Sequence, residues 1–90
     1  MEVFFKPTFI KDFKSFPGEI REEVKELCTE IFPKFQDFRE FSSYDFKSIN
    51  GFNNYYRIRI GNYRVGFKTE NQTIIFMLVR HRKDIYRYFP

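Results

Sequence analysis

The chain of 90 residues reads as an α+β domain in the order strand, two helices, three strands. Three observations predict this. The N-terminal third carries apolar residues at helical spacing, the stretch from Tyr55 to Arg80 alternates or runs apolar at strand length, and Gly61-Asn62 sits where a hairpin must turn. So short a chain builds one core, here a single domain over residues 1–90. That core is aromatic, with 14 Phe, six Tyr and no Trp to supply buried area.

"EVFFKP" is rich in β-formers, so residues 2–6 form the first strand, stopped by Pro7. "TFIKDFKSF" sets Phe9, Phe13 and Phe16 at i, i+4 and i+7 behind Thr8, which is placed to cap a short helix. After Pro17-Gly18, "EIREEVKELCTEIF" gathers Ile20, Val24, Leu27, Cys28 and Ile31 on one stripe. Acids crowd the first turns, where the helix dipole favours them, and the helix ends before Pro33. Residues 33–54 are the least regular: "FQDFREF" suits another helical turn and "FKSINGFNN" an approach to a strand. "YYRIRI" and "YRVGFK" then flank Gly61-Asn62 as a hairpin. After a turn at "TENQ", "TIIFMLVR" has the unbroken apolar character of an interior strand. Two helices cover one face of such a sheet and leave the other for function.

On the hairpin, Arg57 and Arg59 stand roughly 7 Å apart on one face, with Ile58 and Ile60 on the other. Tyr63, Val65 and Phe67 suit the core face, so Arg64 joins the two arginines. No acid occurs from Tyr55 to Thr69 to offset them. Charge runs are commonly solvated surface. The tail "VRHRKDIYRYF", however, adds Arg80, His81, Arg82, Lys83 and Tyr86, and with a net charge of +4 it points to a polyanion, specifically to a phosphate site. Other chemistry is poorly supplied. Cys28 lies on the apolar stripe and reads as an inert core residue, one Cys with one His makes no usual metal site, and no P-loop or dinucleotide fingerprint occurs. Glu19, Glu22, Glu23 and Glu26 read as a solvated helix exterior. A lone Cys and the lack of a spanning segment or secretion signal predict a soluble cytoplasmic protein.

"YYRIRIGNYRVGF" followed by "VRHRKDIYRYF", behind two short helices, resembles the RelE/ParE superfamily of toxins from toxin-antitoxin pairs. The resemblance spans the chain and implies a small curved, mainly antiparallel sheet packed on the two N-terminal helices. RelE-like members cleave messenger RNA on the ribosome, whereas ParE-like members inhibit DNA gyrase. In RelE-like cleavage the RNA 2′-hydroxyl attacks the adjacent phosphate without a metal or other cofactor. By position, the resemblance assigns Arg57 and Arg59 to the basic pair, and adds Arg64, Arg82 and the aromatic Tyr86; Arg80 and Lys83 fall in the same RNA-facing neighbourhood. Arginine stabilises phosphorane oxygens through its fork but is a poor proton acceptor. Where well-studied members carry lysine in the basic pair this chain carries arginine, so His81 becomes the candidate base. Tyr86 is assigned to stacking, to orienting the hydroxyl, or to both. The implied partners are messenger RNA, the ribosome and a cognate antitoxin with which the toxin forms an oligomer. The alternatives are gyrase inhibition and a catalytically weak member that only binds nucleic acid or antitoxin.

Overall fold

The computed structural model describes residues 1–89. Strand β1 (Glu2–Phe5) leads into helix α1 (Pro7–Lys14) and helix α2 (Gly18–Glu26). Strands β2 (Phe46–Ser48), β3 (Tyr55–Ile60), β4 (Tyr63–Glu70) and β5 (Thr73–His81) follow, and helix α3 (Ile85–Tyr88) closes the chain. The five strands form one sheet in the order β1-β5-β4-β3-β2, with β1 parallel to β5 and every other pair antiparallel. The predicted α+β architecture is observed, with β2 and α3 added to the expected elements.

Helix α1 begins one residue earlier than expected because Pro7 supplies a preset φ at a position needing no N–H. Thr8 does not cap it. Its hydroxyl instead donates to the Met77 carbonyl of β5, and Asp12, on the next turn, accepts from the Val79 N–H at 3.3 Å. Beyond the point where β1 stops, α1 thus supplies side-chain partners to the edge of β5 in place of a neighbouring strand.

Helix α2 does not stop cleanly before Pro33. It widens into a π-turn over Leu27–Ile31, with the Phe32 N–H reaching the Leu27 carbonyl, and then tightens into a 3₁₀ turn over Phe32–Lys34. The change of pitch brings Val24, Leu27, Cys28 and Phe32 to the core together. Burial pushes the Cys28 thiol far above its ordinary range, which makes it inert. The expected helical turn in "FQDFREF" is a 3₁₀ segment over Phe38–Ser43, started by Asp37 and Glu40 in a reciprocal cap. It inserts Phe41, fully buried, between Phe32 (5.0 Å between rings) and Phe67 (5.1 Å).

The helix-side core runs through Ile58, Val65, Phe67, Ile74 and Phe76. The opposite face is not wholly open. A smaller cluster of Leu78, Ile85 and Phe89 docks α3 there. The close approach of the Phe89 ring to the strand needs Gly66, since a Cβ at that position would stand 2.8 Å from the ring and push it away.

A register shift between Gly66 and Phe67 places Gly66 opposite Leu78 and Phe67 opposite Phe76, leaving Met77 as the extra residue. One inserted residue reverses the face to which every later side chain of β5 points. Ile74 and Phe76 face the helices before the bulge. Val79 and His81 face them after it.

Candidate functional site

Alternation on β3 and the register with β4 bring three arginines to one face, because Arg57 lies opposite Gly66 and Arg59 opposite Arg64. Edge strand β2 adds Lys47, paired with Arg57. Together with Asp45 and Tyr86 these side chains line a concavity of about 190 Å³.

Each arginine is held differently. Arg64 donates through Nη1 to the carbonyls of Gly61 (3.1 Å) and Tyr63 (2.9 Å), so the hairpin turn fixes its stem and leaves the rest of the fork free. Partial burial, with Arg59, Arg57 and Arg82 as like charges around it, holds this guanidinium below its ordinary range, while Tyr86 acts the other way. It stays cationic, and the surplus of positive charge favours an anion that would relieve it. Arg59 faces Asp45 at 3.8 Å, an exposed and loose pair open to competition by a ligand. Arg57 lies 4.8 Å from the Tyr86 ring centroid, a cation-π contact that the docking of α3 makes possible.

The remaining expected residues divide. Arg82 follows β5, its N–H bonded to the Asn62 carbonyl at 2.8 Å, and its charge reaches Arg64 from the rim. Arg80 shares the arginine face by register, opposite Arg64. Its Nε, however, pairs with Asp12 at 2.9 Å and its guanidinium lies 4.1 Å from the Tyr88 ring, so its charge is committed to holding α1 and α3 on β5. The hydrogen bond with Asp12 raises its pKa accordingly. Lys83 is exposed in the turn after β5, outside the concavity.

His81 is the departure. It pairs with Tyr63 on the helix face, its ring set edge-on to that tyrosine at 5.6 Å. Its Nδ1 accepts from the Lys83 N–H at 3.2 Å. The bulge between Gly66 and Phe67 is the cause, since it turns His81 away from the arginines. Two residues outside the sequence-predicted set, Asp45 and Lys47, line the concavity. The signal for them was the Lys in "FKS" at the approach to a strand, readable only once that segment is known to pair with β3.

Among the described residues, no three His, Cys, Asp or Glu side chains converge as metal ligands, and no helix is long and apolar enough to cross a membrane.

Known proteins share this fold. The family model described as the ParE toxin of the type II toxin-antitoxin system parDE matches residues 3–86. Toxin RelE3 of Methanocaldococcus jannaschii is 47% identical over 92 residues, covering the whole of both chains. Among solved structures, the RelB-RelE antitoxin-toxin complex from Methanococcus jannaschii superposes with a TM-score of 0.74 at 43% identity, over 97% of this chain and 99% of that one. The isolated RelE toxin of E. coli shares the fold with a TM-score of 0.63 at 14% identity, over 96% of each chain. A five-stranded sheet carrying arginines on the face away from α1 and α2, and the match of a family model over nearly the whole sequence, place the chain in the ParE/RelE family of type II toxin-antitoxin toxins.

Proposed function

We propose that this toxin is an endoribonuclease that cuts messenger RNA on the ribosome by attack of a 2′-hydroxyl on the adjacent phosphate. One observation carries the reading: four cationic side chains, one carboxylate and one tyrosine line the same small concavity. Arg57, Arg59 and Arg64 bind the scissile phosphate and stabilise the charge that grows on its equatorial oxygens, the role in which bidentate donors contribute most. Asp45 takes the 2′-hydroxyl proton, since it is the one anion lining the concavity and lies beside Arg59. Lys47 gives a proton to the departing 5′-oxygen, and the products are a 2′,3′-cyclic phosphate and a 5′-hydroxyl. Tyr86 positions the nucleotide, and Arg82 supports the field from the rim. His81 has no part in proton transfer.

The kinship with RelE3 and with a toxin solved in complex with RelB supports a cognate antitoxin for this chain, and the charge of the arginine face makes it the surface on which we expect an acidic segment to dock. The match to a model described for ParE toxins supports gyrase inhibition as the second reading. Primer extension on a message in programmed ribosomes, run beside a gyrase supercoiling assay, separates the two. New 5′ ends that appear with toxin and vanish with Asp45→Asn establish cleavage. Intact messages with lost supercoiling establish the second reading.

A further inference from the structure

The connection between β2 and β3 carries chemistry that the phosphate site does not use. The Phe52 N–H bonds to the Ile49 carbonyl at 3.2 Å, so Asn50 and Gly51 form the two corners of a tight turn. Gly51 takes φ +82° and Asn50 stays on the negative side, the pattern of a type II turn. Both corners are exposed. Apart from its chain neighbours, no heavy atom lies within 4 Å of the place where Gly51 would carry a Cβ, and among the described residues the Gly51 N–H donates to none. The peptide plane between the corners is therefore free to rotate without breaking the 49–52 bond, since turns of types I and II differ by that rotation.

Asparagine before glycine is the order in which a main-chain nitrogen reaches a side-chain carbonyl most readily, because glycine sets no side chain beside the attacking atom. Asn53, Asn54, Asn62 and Asn71 are followed by Asn, Tyr, Tyr and Gln, each with a side chain in the way. The position of Asn50 gives the reaction a consequence. It lines one shallow hollow with Lys47 and Arg57, and those two residues also line the arginine concavity.

We infer that Asn50-Gly51 is a self-modification site, at which the toxin converts the Asn50 amide into a carboxylate and so weakens its own hold on RNA. The effect on RNA rests on the reading above; the conversion does not. The Gly51 nitrogen bonds to Cγ of Asn50 as the Cγ–Nδ2 bond breaks. Ammonia leaves with the proton that the glycine nitrogen gives up, and a succinimide ring remains. Water then opens the ring at either carbonyl. Opening at Cγ gives aspartate, and opening at the main-chain carbonyl gives isoaspartate, whose backbone runs through Cβ and Cγ. Either product sets a negative charge beside Lys47 and Arg57, where it repels a phosphate. Isoaspartate also lengthens the main chain by a carbon, next to a strand of three residues whose pairing sets Lys47 opposite Arg57.

The test holds the whole toxin in neutral buffer and samples it over days against a fresh preparation. Trypsin, cutting after Lys47 and Arg57, releases residues 48–57, which hold Asn50, Asn53 and Asn54 together. Mass spectrometry locates the converted residue, and labelling by an isoaspartyl methyltransferase measures the isomer. The same samples are titrated by fluorescence anisotropy with a labelled RNA, 2′-O-methylated so that it is not cut. Conversion should appear at Asn50 well ahead of Asn53 and Asn54, and the converted fraction should bind RNA roughly fivefold or more weakly. Asn50→Gln, whose longer side chain does not close the same ring, should show neither change, and fresh Asn50→Asp should already bind weakly. An Asn50 that lasts as long as Asn53 and Asn54 overturns the site. Full conversion with unchanged affinity, or equal loss of affinity in aged Asn50→Gln, overturns the effect on RNA and leaves the RNA reading standing. A fresh parent that binds no RNA overturns that reading and the effect with it, while the masses still decide the site.

Discussion

Replacing Gly66 by Ala tests how the C-terminal helix serves the site. In an ordinary strand interior this change is favourable by roughly 0.5–1 kcal/mol, because glycine loses more backbone freedom on folding. Here the added methyl would lie 2.8 to 2.9 Å from Cδ1, Cε1 and Cγ of Phe89. Cγ is the root of the ring, not a flexible end, so the whole side chain must move. Overpacking of this kind costs about 1–3 kcal/mol and outweighs the backbone gain. The alternative is for α3 to leave the sheet. That forfeits the burial of Ile85 and Phe89, on the order of 1.5–3 kcal/mol each. The steric cost is the smaller, so the helix stays docked but shifted, and Tyr86 moves off Arg57. The net loss of up to about 2.5 kcal/mol lowers the melting temperature by up to about 20 °C, with cleavage reduced more than folding. Thermal melts of Gly66→Ala, Phe89→Ala and the double variant give the decisive cycle. In the Phe89→Ala background the methyl has room, so Gly66→Ala should become neutral or stabilising. Additive losses would show that Phe89 is not what Gly66 accommodates, and the account of α3 docking would fall.

Other expectations can be checked alongside. Arg64→Ala should slow cleavage about a hundredfold or more and cost about 1 kcal/mol of stability through its two carbonyl bonds, whereas Arg82→Ala should cost less activity and leave stability within about 0.5 kcal/mol; primer extension and thermal melts measure both. Asp45→Asn should abolish the message cuts while His81→Ala retains them within a fewfold; the opposite pattern would return the base to His81. Asp12→Ala removes the partner of both the Arg80 guanidinium and the Val79 N–H, so a urea titration should show a loss of roughly 1–3 kcal/mol.

The hairpin was legible because β3 and β4 alternate over enough residues to show both faces, with Gly61 marking the turn at φ +59°. Arg57, Arg59 and Arg64 could be grouped from that alone. Strand β2 was not legible. Three residues carry no period, and its place in the sheet is set by pairing with β3, which local sequence does not encode. Helix α3 has four residues and depends on the gap at Gly66, a contact between positions far apart in the chain. His81 was misplaced for a third reason: a bulge reverses facing without any mark in "TIIFMLVRH", where Leu78 and Val79 are both buried, one on each side of the sheet.

The side chains of α1 along β5 bear on how the chain avoids self-association. "TIIFMLV" is a stretch of β-formers without charge or proline, the composition that stacks into cross-β fibrils when it is left unpaired. Its N-terminal half is paired by β1, and beyond β1 the Thr8 hydroxyl and the Asp12 carboxylate satisfy Met77 and Val79. Both guards come from the first residues of the chain, and both are synthesised before the strand they protect. Removal of residues 1–14 would therefore do more than subtract packing energy. It would turn the longest strand of the sheet into a bare edge, and such a fragment should be lost to aggregates.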